Sequence, residues 1–245
     1  GRDSFSFTQE ASKTFNNKYY LSDLDYKILE DKLPWYLYPG FWITYNSNYK
    51  SVKENKGCCF GMSAAMALFY MNKLSISEFD QSASTVYEMK KPNTDSDFAS
   101  MLTYYQLIQE AGGINKEDKS ASQEEMSEEL ISTLREGEIP VLVCFQHDMG
   151  FFERLIGAGQ HAVLAIAVNE DFSDDFYIVY IADPMGLTTI TANKLTNPVT
   201  FEEPSFLFID KSTMQMTDTL SARPGTMKLQ IYKSLKVYSD YLFFK

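Results

Sequence analysis

Two adjacent cysteines, Cys58 and Cys59, open an apolar run rich in alanine and methionine within residues 55–73. The run predicts a helix that is packed on most of its faces, and it is too short to span a membrane. At the start of a helix, N–H groups without intrahelical acceptors and the helix dipole favour an anion, so a thiolate is stabilised there. This is the setting of a sulfur nucleophile, although buried cysteines are more often inert core residues.

A thiol nucleophile needs a base, and His161 begins an apolar run over residues 161–168. A second apolar run, residues 176–183, ends at Asp183, and the polar residues 169–175 between the runs predict a β-hairpin. If the hairpin has no bulge, His161 lies directly opposite Asp183, with Cβ atoms roughly 5 Å apart. Asp183 then orients the imidazole, and the second ring nitrogen takes a proton from a thiol.

The remaining histidine and cysteine fit this chemistry less well. His147 is expected in a solvated loop beside Asp148, with no acid placed across from it. Cys144 falls within the apolar stretch 140–146, which predicts a buried strand and therefore an inert thiol. The chain has three cysteines, an odd number that is too small for a disulfide-stapled scaffold. No Cys/His spacing is typical of zinc ligands, so neither a metal nor another cofactor is expected.

The elements that must position these residues change character along the chain. The first half predicts helices, and the second half predicts strands, which together indicate an α+β fold in one domain. Residues 34–49, with Pro39-Gly40, are interpreted as an irregular loop in which the aromatic side chains pack in or around the core. Expected helices, besides the cysteine run, are 22–33, 97–111 and 123–136, with a weak helical pattern over 75–91. Expected strands are 140–146, 161–168, 176–183, 200–209, 227–232 and 235–244.

Composition excludes several classes of function. The chain of 245 residues is 44% hydrophobic, enough to bury a substantial core. Its formal charge of −11 argues against nucleic acid, because phosphate binding needs clustered Lys and Arg. The same charge disfavours anionic membranes, and no apolar run is long enough for a membrane span. The charge also suggests a preference for basic residues in a peptide partner.

Four short motifs resemble those of papain-like cysteine peptidases, in order and spacing over roughly residues 50–190. The resemblance is closest to bacterial members such as bacteriocin-processing peptidase domains, and the cysteine motif is similar to a group of secreted peptidase-like domains of Clostridia. The motifs are Gly-Cys-Cys-Phe-Gly-Met-Ser (57–63), Leu-Arg-Glu-Gly-Glu-Ile-Pro-Val-Leu-Val (134–143), Gly-Gln-His-Ala-Val (159–163) and Ala-Asp-Pro (182–184).

The resemblance implies a papain-like α+β fold over residues 1–245, with a helical first half packed on an antiparallel β-rich second half. Residues 1–35 are then an N-terminal arm or the remnant of a prosegment. It assigns Cys59 as nucleophile, His161 as general base and Asp183 as the residue that orients it, with Cys58 remaining the alternative nucleophile.

One position departs from the family pattern. Papain-like enzymes carry a glutamine shortly before the nucleophile that donates to the oxyanion, and Lys53 stands there in this chain. Asn55 is the nearest amide and is the expected substitute, with the backbone N–H of Cys59 as the second donor.

The expected activity is hydrolysis of a peptide or protein substrate through an acyl-enzyme, at a secreted or cell-surface location. A peptidoglycan amidase or an acyl transferase would use the same residues, and the oligomeric state stays open. The alternative is a non-catalytic module that keeps the papain-like fold for binding within a larger secreted protein. The departure at Lys53 and the aromatic stretch 35–49 motivate that alternative.

Overall fold

The computed structural model describes ten segments of the chain, which hold most of the predicted elements. Contacts between Cα atoms divide the chain into two compact units, a helical unit (2–116 with 239–245) and a sheet unit (117–238 with residue 1). The described residues are 4–7, 19–33, 35–36, 38–46, 57–110, 122–137, 140–147, 160–184, 205–217 and 228–236.

The helical unit is built around one helix that is buried on nearly all sides. Its helices are α1 (Asp23–Lys32), α2 (Tyr38–Thr44), α3 (Cys59–Tyr70), α4 (Ile76–Phe79) and α5 (Asp97–Glu110). Every residue of α3 from Phe60 to Phe69 is buried, and α3 packs against α5. Small side chains such as Ala64 and Ala65 allow this close packing, so the apolar run forms the centre of the unit as its composition predicts.

A buried polar contact joins α1 to α5. Ser22 caps α1, because its Oγ accepts a hydrogen bond from the backbone N–H of Asp25. The backbone N–H of Ser22 donates to Oγ of Ser100 at 2.8 Å, and the Ser100 hydroxyl donates to the Asp25 carboxylate. Burial of a carboxylate is costly unless it is hydrogen-bonded, so this contact fixes where α1 lies on α5.

The sheet unit is a closed antiparallel sheet with one described helix packed on it. The helix is α6 (Gln123–Glu136), and the strands are β1 (Val141–His147), β2 (Gln160–Asn169), β3 (Phe176–Ala182), β4 (Ser205–Asp210), β5 (Met216–Thr217) and β6 (Lys228–Lys236). Strands pair in chain order, and β6 pairs back with β1. Leu130, Ile131 and Leu134 of α6 pack with Val141 and Val163 in the core.

Most predicted elements are confirmed, and with them the α+β class. Helix α6 has the predicted bounds, with a capping box between Ser122 and Glu125 and a left-handed Gly137 after its end. Strands β1, β2 and β3 lie within one or two residues of their predicted ranges. Among the described residues, no helix is both long and apolar enough to cross a membrane.

Three predictions about local structure are wrong. Residues 34–49 are not wholly irregular, because α2 lies within them. Only the four-residue α4 forms a helix in residues 75–91. The two strands predicted over 227–232 and 235–244 are replaced by the single strand β6, and residues 237–244 lie outside the described part of the chain.

Three aromatic residues of the stretch 34–49 are also less buried than predicted. Trp35 is 85% exposed, Trp42 is 52% exposed and Tyr36 is exposed as well. These three side chains therefore lie at the surface of the helical unit and contribute little to its core.

Candidate functional site

The two adjacent cysteines occupy different environments at the start of α3. Cys58 is the N-cap residue and is fully buried, and its Sγ lies 3.5 Å from the backbone oxygen of Leu102 as a hydrogen-bond donor. Cys59 is the first helical residue and is partly exposed. A reactive thiol must be accessible, so this arrangement favours Cys59 over Cys58 as the nucleophile.

The N-terminus of α3 is held by an unusually close contact with α5. The backbone N–H of Gly61 donates to Oε1 of Gln106 at 3.0 Å. A Cβ atom at Gly61 would lie 2.1 Å from the backbone oxygen of Leu102 and 2.9 Å from Sγ of Cys58. Only glycine allows this approach, so Gly61 and Gln106 together fix the turn that presents Cys59.

Gln106 was not predicted from the sequence. It is a buried polar residue between apolar neighbours in α5, and its side-chain oxygen satisfies one of the N–H groups that have no acceptor within α3. The only sequence signal is its position one helical turn after Leu102, on the face that packs against α3.

In the sheet unit, the structure brings His161 and Asp183 into direct contact. Nε2 of His161 lies 2.7 Å from Oδ1 of Asp183. The two residues are 7% and 2% exposed, so the pair is almost completely removed from water. The contact engages Nε2, one of the two ring nitrogens of His161.

The contact does not arise through the predicted register. Strands β2 and β3 pair Leu164 with Ala182, and the register shifts between Ala165 and Ala167, where a bulge interrupts the ladder. Continued by one residue, this register places residue 163 opposite Asp183. His161 therefore reaches Asp183 diagonally on the same face, a separation that long side chains can span.

The described strand residues beside the pair are apolar. Val163, Ala182 and Ile181 are buried next to it in the two strands. In such surroundings a carboxylate needs a hydrogen-bonding partner, and His161 provides one. Asp183 therefore holds the imidazole ring in place through Nε2.

A second set of polar contacts fixes the loop between β2 and β3. Nε and Nη2 of Arg135 lie 2.5 and 2.6 Å from the two carboxylate oxygens of Glu170. This hydrogen-bonded ion pair lowers the pKa of Glu170 and raises the pKa of Arg135. Nζ of Lys211 donates to the backbone oxygens of Glu170 and Ser173. The hairpin that carries His161 and Asp183 is thus anchored to α6 and to the end of β4.

The predicted site residues belong to different units, and some of them lie outside the described part of the chain. Cys59 belongs to the helical unit, whereas His161 and Asp183 belong to the sheet unit. Asn55, the predicted oxyanion donor, and Lys53 lie outside the described residues. Within the described ranges, no group of three or more His, Cys, Asp or Glu side chains is placed to hold a metal ion.

The two residues set aside in the sequence both lie in β1. Cys144 is buried there, as predicted, opposite Ala162 of β2. His147 is not in a loop: it is the last residue of β1, and its partner in the β6 ladder is Leu229.

Comparisons with protein-family models, with curated proteins and with solved structures found no match to this chain.

Proposed function

We propose that the protein is a cysteine peptidase with a papain-like fold, in which Cys59, His161 and Asp183 act together. The observation that carries this proposal is the buried contact between Nε2 of His161 and Oδ1 of Asp183. The partly exposed Cys59 at the first residue of α3 supports it from the helical unit. A helix N-terminus and an oriented imidazole are the two devices that activate a thiol.

The chemistry follows from the roles of the three groups. Nδ1 of His161 takes the proton of Cys59, and the Cys59 sulfur attacks the carbonyl carbon of a peptide bond to give a tetrahedral oxyanion. The imidazolium returns its proton to the departing amine nitrogen as the C–N bond breaks, leaving a thioester on Cys59. A water molecule then gives a proton to His161 and attacks the thioester. The carboxylic acid leaves, and the proton returns to the sulfur.

Asp183 has a positioning role in each step. Its carboxylate keeps Nε2–H directed away from the thiol, so Nδ1 is the basic nitrogen when the imidazole is neutral. When the ring is charged, the same carboxylate stabilises the imidazolium. The backbone N–H of Cys59 is one donor to the oxyanion, and Asn55 is the proposed second donor.

Alkylation by iodoacetamide tests whether this thiol and this imidazole interact. The rate is measured from pH 4 to 9 for each cysteine separately by mass spectrometry. Cys59 is expected to react rapidly well below the ordinary thiol pKa of about 8.5. His161→Ala is expected to abolish that low-pH reaction, whereas His147→Ala, which removes the other histidine, leaves it unchanged. Equal profiles for wild type and His161→Ala would exclude the proposed pair.

Hydrolysis is measured on the same variants, with peptide libraries of varied charge and with peptidoglycan stem peptides. Cleavage of peptides distinguishes a peptidase from an amidase that uses the same three residues, and transfer to an added amine identifies a transferase. The chain's net charge of −11 favours substrates that contain Lys or Arg. A secreted or cell-surface location is proposed with this activity.

A non-catalytic binding module is the second candidate. The exposed aromatic side chains of Trp35, Tyr36 and Trp42 favour it, because soluble proteins seldom expose several large aromatic residues within a short segment. This candidate predicts an ordinary alkylation profile for Cys59 together with saturable ligand binding at the aromatic surface.

A further inference from the structure

The helical unit contains a second feature suited to binding, an aromatic cavity whose described lining does not include Cys59, His161 or Asp183. Its volume is about 390 Å³, within the usual range for small-molecule sites. Five of its eight described lining residues are aromatic, namely tyrosines 19, 20, 26 and 45 and Trp42, while Asp23 and Asn46 supply polar groups.

The rings form inclined walls rather than a flat platform. The centroids of Tyr26 and Tyr45 lie 5.7 Å apart, and their planes are inclined by 52°. The hydroxyl groups of Tyr26 and Tyr38 lie 3.0 Å apart in a hydrogen bond, which restrains the Tyr26 ring. Trp42 is half exposed at the same cavity. Inclined aromatic faces around one space can surround a compact cation, whereas a sugar ring stacks best on a flat face.

The charge of the cavity is negative. Asp23 is the first residue of α1 and is exposed, and no ion pair of Asp23 occurs among the described residues. Burial raises the pKa of Tyr45, and the nearby charge of Asp23 raises it further, so the phenol stays neutral. The described lining of the cavity therefore combines aromatic side chains with the carboxylate of Asp23.

We propose that this cavity binds an organic cation, the ammonium or guanidinium end of a lysine or arginine side chain. Cation–π attraction to the tyrosine and tryptophan faces and ion pairing with Asp23 provide the binding energy. The net charge of −11 raises the local concentration of such ligands around the chain. This site does not depend on the chemistry of Cys59, and it serves a peptidase or a binding module equally well.

Trp42 provides a direct reporter of occupancy. The chain has two tryptophans, so Trp35→Phe leaves Trp42 as the single indole. The full chain carrying Trp35→Phe is titrated with Nα-acetyl-lysine amide and with Nα-acetyl-arginine amide, with fluorescence as the readout. Nα-acetyl-norleucine amide, which has a similar length and no charge, is the control ligand, and maltotriose tests for a sugar site.

The cationic ligands are expected to give saturable changes in Trp42 emission that weaken as salt is added. Asp23→Asn should weaken their affinity on the order of tenfold, because it removes the charge and keeps the shape. Asp31→Asn, at an exposed position in the same helix, is the matched control and should change nothing. Tyr20→Leu should weaken binding roughly fivefold through the loss of one ring face.

Several outcomes would overturn this assignment. They are equal binding of norleucine amide, equal cation affinity in wild type and Asp23→Asn, tighter binding of maltotriose, and no saturation by either cation. Thermal melting of each variant checks its fold. If Asp23→Asn melts at a lower temperature than Asp31→Asn, its affinity is not used, and Tyr20→Leu becomes the deciding variant. Unchanged cation affinity in Tyr20→Leu then overturns the proposed site.

Discussion

His161 and Asp183 meet through Nε2 and Oδ1 at 2.7 Å, although they are not opposite each other in the β2–β3 ladder. The ladder register places residue 163 across from Asp183, and the histidine reaches its partner along the diagonal. The bulge between Ala165 and Ala167 is what allows this, because the pairing of Ala167 with Tyr180, continued without a shift, would place residue 164 opposite Asp183 and His161 on the other face. What the hairpin must preserve is the shared face of the sheet, since a shift of two residues keeps that face and a shift of one reverses it.

Asp183 can be tested by comparing two substitutions. Asp183→Asn keeps an acceptor for Nε2–H and is expected to lower peptide hydrolysis by less than about tenfold, because Cys-His-Asn arrangements also work. Asp183→Ala removes the acceptor and should lower hydrolysis about a hundredfold or more. The measurement is kcat/KM with the pH profile of Cys59 alkylation, which a purely structural residue would not alter. Equal hydrolysis by the alanine variant and wild type would contradict the positioning role.

Substitutions of the two adjacent cysteines should have different effects on hydrolysis and on stability. Cys59→Ala is expected to lower hydrolysis by roughly four orders of magnitude or more, since no other nucleophile replaces it. Cys58→Ala removes a buried sulfur that donates to Leu102, so it should cost about 1 kcal/mol of stability. It should leave the alkylation of Cys59 unchanged. If Cys58→Ala folds stably but loses hydrolysis while Cys59→Ala stays active, Cys58 is the nucleophile and Cys59 is not.

Local chemistry in the sequence is sufficient to predict many of the elements. The bounds of α6 follow from Ser122, Glu125 and Gly137, whose side-chain caps and positive φ act within a few residues. Helix α2 is missed because Pro39-Gly40 is typical of a loop. Pro39 is in fact the second residue of that helix, in the first turn, where proline removes no intrahelical hydrogen bond.

Long-range features are harder to predict. Strand β6 is interpreted as two strands because its polar residues 233–234 interrupt the alternation. The ladder with β1 shifts register there, pairing Cys144 with Lys233 and Phe145 with Ile231. The hairpin that carries His161 and Asp183 is predictable because it is local, whereas the register through which they meet is not, because it depends on the bulge between Ala165 and Ala167. Gln106 is not, since its partner Gly61 lies 45 residues away and on another helix.

Gly61 provides a test of the contact that presents Cys59. Gly61→Ala forces a Cβ against the backbone oxygen of Leu102, which cannot rotate away. It is expected to cost about 2–3 kcal/mol of unfolding free energy. Gly137→Ala is the comparison, because its φ of +71° is strained for alanine but the nearest atom is 3.8 Å away; that strain should cost about 1 kcal/mol. Denaturant unfolding measures both, and a cost at Gly61 no larger than at Gly137 would contradict the close packing.

The ion pair between Arg135 and Glu170 should make thermal stability depend on pH. Its hydrogen bonds lower the pKa of Glu170 in the folded protein, below the ordinary glutamate value of about 4.3. A lowered folded-state pKa means that the stabilisation is fully present above the ordinary value and is lost as the pH falls through the lowered one. Glu170→Gln should therefore melt about 2 °C below wild type at pH 7, with the difference vanishing toward pH 3.

Glu128→Gln, at an exposed position of α6, is the control and should show no comparable difference at pH 7. High salt should also reduce the difference at pH 7, because both partners of the ion pair are partly exposed and a surface charge pair is screened.

Since Glu170 follows β2 directly, its loss should loosen the loop between β2 and β3. Hydrogen exchange of residues 170–175 should then rise in Glu170→Gln while the β1 amides stay protected. Unchanged exchange in that loop would mean that Lys211, which also binds the loop's backbone, is sufficient to hold it.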